Sequence, residues 1–329
     1  MNAAGPARGE PVSIGVVAIG RNEGERLRRC LASVDYPGAR VVYVDSGSTD
    51  GSCALAASLG AEVVQLDMDQ PFTAARARNA GWQALVDGGA APDVIQFIDG
   101  DCEFERGWIE RAIAFLASDP KAAVVCGRRR ERFPEASFYN RLCDAEWNTP
   151  VGQADACGGD AAMRTAALVA AGGFDPLLSA GEEPELCHRL RSEGWTIWRI
   201  DAAMTIHDAA MFRFGQWWLR AVRSGLGYAQ AWRATAQRPA PLYRRECLRA
   251  LGWTGGVTLV ACALGLWLGW AGLAFAPAVW AAQYLRLAPR YGPRHAGLLL
   301  VGKFAEARGI LLYLRRALAG RPGGTIFYK

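Results

Sequence analysis

The sequence predicts an α/β fold: a mostly parallel sheet domain followed by a helical, membrane-associated C-terminal region. Three observations carry this reading. Short apolar runs alternate with helix-like stretches through the first two hundred residues, the pattern of parallel α/β sheets. The loops after those runs hold acids, glycines and serines, and such loops gather at the carboxyl edge of a sheet, where ligands bind. Finally, the 36 residues from Ala250 to Leu285 carry no charge.

Taken in order, Ser13 to Ile19 reads as the first strand, Gly20 to Glu23 as a loop and Glu25 to Val34 as an amphipathic helix. Val41 to Val44 is the second strand. It ends in Asp45-Ser46-Gly47-Ser48-Thr49-Asp50, a turn that runs into a helix with serine and aspartate as caps. Ala61 to Leu66 is a third strand, Ala75 to Val86 a helix and Val94 to Ile98 a fourth strand, buried by its composition. Trp108 to Ala117 is helical and Ala122 to Cys126 returns to the sheet. Gly158-Gly159-Asp160 precedes a helix beginning near Met163, and Thr196 to Ile200 is strand-like. There is no internal repeat, low-complexity segment or convincing linker before about residue 210.

At 329 residues the chain can bury a core that needs no disulfide staples. Nine cysteines without a Cys-x-x-Cys pair, alongside three histidines, read as reduced interior residues of a cytosolic compartment and argue against a structural zinc site. Met1 to Pro11 has no apolar core and is not expected to be a secretory signal. The net charge of +5 is divided: residues 1–210 hold 20 Lys and Arg against 30 Asp and Glu, residues 211–329 hold 17 against 2. A basic half points to a polyanionic partner, either nucleic acid or anionic lipid.

The uncharged segment favours lipid over nucleic acid. As helix it would measure about 54 Å, well beyond the ~30 Å of one hydrocarbon core, so two short spans divided near Trp270 to Pro277 fit better than one. Arg244, Arg245 and Arg249 precede it and Arg286, Arg290 and Arg294 follow it, which places both ends on the cytoplasmic side. A hairpin buried in a soluble core, or one lying in a single leaflet, is the alternative. Phe212 to Trp232 and Ala296 to Ala319 mix aromatic and aliphatic residues with arginine or lysine, as interfacial helices do. Some of these arginines could instead clamp a diphosphate.

Asp99-Gly100-Asp101 directly follows the fourth strand. Two carboxylates there can hold a hard divalent cation, and the glycine lets a diphosphate approach the backbone; the competing reading is a solvated turn. Together with Arg21-Asn22-Glu23-Gly24, Asp45 to Asp50, Ala77-Arg78-Asn79-Ala80-Gly81, Gly172-Gly173-Phe174-Asp175 and Gly181-Glu182-Glu183-Pro184-Glu185-Leu186, it forms a series that resembles the family-2 glycosyltransferases, inverting enzymes of the Rossmann-like GT-A fold. The resemblance runs from about Val12 to Ala234.

The resemblance implies a nucleotide-diphosphate sugar as donor and Mn²⁺ or Mg²⁺ as cofactor. It puts Asn22, Glu23, Asp45, Arg76 or Arg78, Asp99, Gly100 and Asp160 at the donor, with Arg78 preferred over Arg76. Asp45 falls to the base or ribose and Asp99 to the ribose or sugar; Ser46 stands where many relatives have a second aspartate. Asp101 falls to the metal, with His207 a further ligand or a structural histidine. The base that takes the acceptor proton is expected to be Glu183, where relatives usually have Asp, with Glu182 as competitor. Asp160 either holds donor hydroxyls or caps a turn, and Glu185 with Arg189 reads as a surface ion pair.

The expected organisation is a GT-A catalytic domain over 1–210, basic interfacial helices over 211–249, a hydrophobic hairpin over 250–287 and a basic amphipathic helix with its tail over 288–329. The function that follows is an inverting transferase moving a sugar to a hydroxyl of a lipid-linked glycan at the cytoplasmic membrane face, with anionic lipid and no nucleic acid as partner. Two alternatives stand beside it: transfer to polyprenyl phosphate itself, and a catalytically silent membrane scaffold. The tail Thr325-Ile326-Phe327-Tyr328-Lys329 resembles those of membrane-associated family members.

Overall fold

The computed structural model describes residues 12–320 and Ile326. Met1 to Pro11, and the C-terminal string apart from Ile326, lie outside the described residues. The chain divides into two compact units, one holding residues up to Leu177 and Glu182–Arg213, the other Leu178–Gly181 and the chain from Phe214 onward.

The first unit runs β1 (Ile14–Gly20), α1 (Glu25–Ala32), β2 (Arg40–Asp45), α2 (Ser52–Ser58), β3 (Glu62–Gln65), α3 (Ala74–Asp87), β4 (Val94–Asp99), β5 (Cys102–Phe104), α4 (Trp108–Ser118), β6 (Ala122–Glu131), α5 (Phe138–Trp147), β7 (Gly152–Gln153), β8 (Ala161–Arg164), α6 (Thr165–Ala170), α7 (Glu182–Ser192) and β9 (Thr196–His207). Among the described residues nine strands form one sheet in the order β3-β2-β1-β4-β8-β6-β9-β5, with β7 beside β9. β1 pairs in parallel with β2 and β4, which sets Gly20 beside Asp45 and Ile19 beside Asp99. The ends of three parallel strands thus bring both acids to one edge.

Six of the nine strands run in one direction, the mostly parallel sheet that the sequence predicts, and β5, β7 and β8 run antiparallel to their neighbours and make it mixed. The helix expected from Met163 is strand β8 instead, with α6 starting only at Thr165. Ala161, Ala162 and Met163 are buried between β4 and β6, where ladder pairing outweighs the helix preference of alanine and methionine. β6 and β9 also extend past Cys126 and Ile200, because Arg128–Glu131 pairs with Ala203–His207.

Val16, Val17, Ile95, Phe97 and Val125 bury the strands, and α3 packs on β1 and β2. Gly81 permits that approach: a Cβ there would collide with Val17 and reach 3.0 Å from Val44. At the start of α4, buried Trp108 donates its indole N–H to Gln96 Oε1 at 2.9 Å, satisfying a polar group inside β4.

The second unit is helical: α8 (Phe214–Thr235), α9 (Arg244–Leu251), α10 (Val257–Leu268), α11 (Trp270–Leu273), α12 (Phe275–Tyr291) and α13 (Pro293–Leu318). α8 and α13 approach closely at glycines, since a Cβ at Gly225 or Gly309 would strike the backbone of Glu306 or Val222. Gln230 on α8 accepts from the N–H and hydroxyl of Ser179 at 3.0 and 2.7 Å, which fixes the segment just ahead of Glu182.

α9, one wide helical turn and α10 form a continuous 25-residue helix, Arg244–Leu268, the one helix among the described residues long and apolar enough to cross a membrane. It ends at Gly269, whose φ of 63° breaks the helix where the sequence places the division. The second half, α12, is shorter and carries Arg286 and Arg290 near its end, so it does not form an equivalent span. Leu266, Trp267 and Trp270 at the break are more than four-fifths exposed.

Candidate active site

The loops after β1 and β2 are tied together. Asn22, at φ 55°, donates its N–H to Ser48 Oγ at 2.8 Å and accepts from the Thr49 N–H at 2.7 Å. Asp45 is buried and accepts from the Gly47 and Ser48 N–H groups at 3.0 and 2.8 Å and from Tyr43 Oη at 3.0 Å. Burial raises its pKa, but these bonds win and leave the carboxyl below its usual range. Asp45 therefore shapes this loop. Glu23 pairs with Arg26 at 2.8 Å, and a Cβ at Gly100 would sit 3.1 Å from Ile19 O and 3.3 Å from Glu23 Cγ.

The two arginines of α3 separate. Arg76 donates to the carbonyls of Asp67, Gln70 and Pro71 and so braces that loop. Arg78, 4% exposed in its side chain, reaches Asp99 Oδ1 at 3.0 Å, Glu182 Oε1 at 2.8 Å and Glu183 Oε1 at 3.1 Å. One guanidinium thereby joins the end of β4 to the start of α7.

These contacts set the local acidity. Burial favours the neutral form of Asp99, but Arg78 and then Arg129 outweigh it and hold the carboxyl below its usual range. Glu183 goes the other way, its carboxyl pushed up to about 7 by burial and by Glu182, with Arg78 opposing. Glu185, expected on the surface, is buried; Arg189 grips it at 2.8–3.0 Å and donates to Gly173 O, bracing α7 against the turn after α6.

Asp160 opens β8 rather than a helix, and it is fully buried. It accepts from the Asp99 N–H at 3.1 Å and Thr205 Oγ1 at 2.7 Å and pairs with Arg129 at 2.8 Å. It positions the acid motif from behind. A Cβ at Gly159 would collide with Arg78 and stand 3.1 Å from Asp99, so only glycine fits between them.

Asp101 Oδ2 lies 3.4 Å from His207 Nε2, and Glu131 Oε2 lies 3.8 Å from His207 Nδ1. Asp101, Cys102 and His207 offer ligand atoms within 4.8 Å of one another, as do Asp99, Cys102 and Asp160. Asp99, Asp101, Glu131, Asp160, Glu182 and Glu183 exceed in charge the Arg78, Arg129 and His207 that face them. A donor set with this acid excess fits a divalent cation at Asp101 and His207.

Sequence reasoning missed Arg129, Glu131, Thr205 and Trp147. Arg129 stacks over Trp147 at 5.5 Å, and Trp147 meets the His207 ring edge-on at 4.8 Å. The available signal was the alternation Arg129-Arg130-Glu131 directly after an apolar strand, which sends residues 129 and 131 to one face.

Residues 15–164 match the family model for glycosyl transferase family 2. This stretch is a family 2 glycosyltransferase domain. The chain is 29% identical over 195 residues to the succinoglycan biosynthesis protein ExoA of Rhizobium meliloti, covering 56% of this chain and 57% of that one. It is 28% identical over 203 residues to the pre-mycofactocin glycosyltransferase of Mycobacterium tuberculosis, covering 57% and 41%. It thus spans less than two thirds of either relative's length. A solved mannosyltransferase, PcManGT from Pyrobaculum calidifontis, in complex with GDP-Man and Mn²⁺, superposes with a TM-score of 0.63 at 20% identity over 94% of this chain and 90% of that one. The likeness is one of fold, the GT-A arrangement that the motif series implies.

In the family 2 domain Arg78 offsets three carboxylates, so Arg78→Met leaves them uncompensated and costs about 3–5 kcal/mol at neutral pH. Asp99, its pKa lowered in the fold, contributes stability above the ordinary carboxylate range that is lost as the pH falls through its folded value. The variant has already lost that contribution, so this part of its deficit shrinks only as the pH falls below about 4, the ordinary carboxylate value. Urea unfolding at about pH 7 and about pH 3, on either side of that value, measures both.

Proposed function

We propose that this chain transfers a sugar from a nucleotide-diphosphate donor to an acceptor hydroxyl with inversion at the anomeric carbon. The observation that carries the reading is the Arg78 guanidinium, which has Asp99 of the acid motif on one side and Glu183 on the other. Asp101 and His207 are the residues that would hold Mn²⁺ or Mg²⁺, and the bound ion neutralises charge on the departing diphosphate. Asp99, with Gly100 against the end of β1, orients the donor; Asp160 holds Asp99 in place. Glu183 takes the acceptor proton, and a carboxyl titrating near 7 suits a general base at neutral pH. Glu182, buried against Arg78, keeps that carboxyl's pKa high.

The acceptor we infer is a lipid-linked glycan at the cytoplasmic face of the membrane. Support comes from the exposed apolar residues of the 244–268 helix and α12, from the arginines flanking them, and from the relative named for succinoglycan biosynthesis. Anionic lipid is the partner of the basic helices. The full chain is expected to float with vesicles containing phosphatidylglycerol, and Trp267→Ser with Trp270→Ser to weaken that flotation; recovery of all wild-type protein in the soluble fraction would contradict it.

Donor binding and hydrolysis across UDP-, GDP- and dTDP-sugars, with Mn²⁺, Mg²⁺ or a chelator, test the catalytic reading. A metal-dependent preference for one donor is expected, lost in Asp101→Ala. Glu183→Gln should keep donor binding and lower kcat by about 10²- to 10⁴-fold. Because the base works deprotonated, kcat/KM should rise with pH and level off above about 7. Folded protein that binds no donor would overturn the reading.

A further inference from the structure

We propose that Cys102 is a third protein ligand of the cation, so that Asp101, Cys102 and His207 form a carboxylate, thiolate and imidazole site that prefers thiophilic divalent ions such as Zn²⁺, Co²⁺ or Cd²⁺ over Mg²⁺. The inference rests on the reading that Asp101 and His207 hold a cation.

The sheet register brings the thiol there. β5 pairs antiparallel with β9, and Cys102 stands directly opposite His207. Residues in that relation project to the same face of the sheet. Cys102 Sγ lies 3.7 Å from Asp101 Oδ1, and His207 Nε2 lies 3.4 Å from Asp101 Oδ2. Donors around one tetrahedral ion, with a metal–sulfur bond near 2.3 Å and metal–nitrogen or oxygen bonds near 2.0–2.1 Å, stand roughly 3.3–3.6 Å apart. Two of the three spacings therefore come close to those of one ion, and the ligand atoms of Cys102 and His207 lie within 4.8 Å of each other.

The surroundings favour this set over its neighbour. Asp99 and Asp160 also lie near Cys102, but Arg129 already stands 2.8 Å from Asp160 and 3.5 Å from Asp99. Behind His207, Glu131 Oε2 stands 3.8 Å from Nδ1, longer than a hydrogen bond but on the side where metal-bound imidazoles use an outer carboxylate. Glu131 is itself fixed by the N–H groups of Phe133 and Ala209 and by Asn140 Nδ2, at 3.0–3.2 Å.

Binding breaks the Cys102 S–H bond, sends the proton to solvent and forms a sulfur–metal bond; no electron is transferred. Sulfur selects softer ions, whereas Mg²⁺ takes oxygen.

The test is a Co²⁺ titration of the full chain, read by absorption. A near-ultraviolet thiolate-to-cobalt charge-transfer band is expected to saturate at one equivalent. Cys102→Ser should lack the band and bind Co²⁺ about 10- to 100-fold more weakly, at least the loss seen on removing an outer-sphere partner, with Mg²⁺ binding little changed. Cadmium NMR on the unaltered protein gives the same answer without a variant, through the resonance position of a site with one sulfur donor. A cobalt complex without the band, a band that survives in Cys102→Ser, or a cadmium resonance of an all-oxygen-and-nitrogen site would overturn the thiolate assignment alone. A folded chain that takes up neither ion would overturn the cation site as well.

Discussion

The buried guanidinium of Arg78 is the constraint on which the site depends. An ion taken from water costs several kcal/mol unless its partners are well placed, and here three carboxylates from two separate parts of the chain, Asp99 and the adjacent Glu182 and Glu183, supply them. Meeting that requirement fixes α3 on the sheet, the end of β4 and the start of α7 in one arrangement. The supporting features follow from it: Thr73 caps α3 by accepting from the Arg76 N–H, Gly81 lets the helix sit close on β1, and Gly159 leaves room for the guanidinium. A planar fork suits three carboxylates better than a point charge, so lysine is not an equivalent residue at this position.

The same interaction divides the acids by role. Asp99, held charged by Arg78 and Arg129, stays an anion at the end of β4, whereas Glu183, buried and crowded by Glu182, is pushed up to about 7. Two carboxylates on one guanidinium thus take different protonation states because their other neighbours differ. Arg129 plays the matching part on the far side, pairing Asp160 and stacking on Trp147. The acid excess that remains gathers where β4 and β9 end and β5 begins, at Asp101 and His207.

Much of this was legible in the chain. The strands with continuous apolar runs were, because burial on both faces imposes that composition locally. Arg78 was legible as well: it lies on the buried stripe of Ala74, Ala75, Gly81, Trp82 and Leu85, while Arg76, two residues away, points to another side of the helix. β5 and β8 were not, since a three- or four-residue strand is defined by remote partners. The same long-range pairing hid Arg129, Glu131 and Thr205, whose charge and polarity read as loop until β6 and β9 are laid side by side. Asp45 showed its position but not its work, because its bonds to Gly47, Ser48 and Tyr43 depend on turn geometry.

The proposed reading has Glu183 as the base and displaces the diphosphate directly, so the stereochemistry of the product tests the account most directly. Hydrolysis of the accepted α-linked donor can be followed by proton NMR before the released sugar mutarotates. The account predicts that the first sugar seen is the β anomer. Release of the α anomer would contradict it, because retention needs a second displacement that Glu183 alone does not provide.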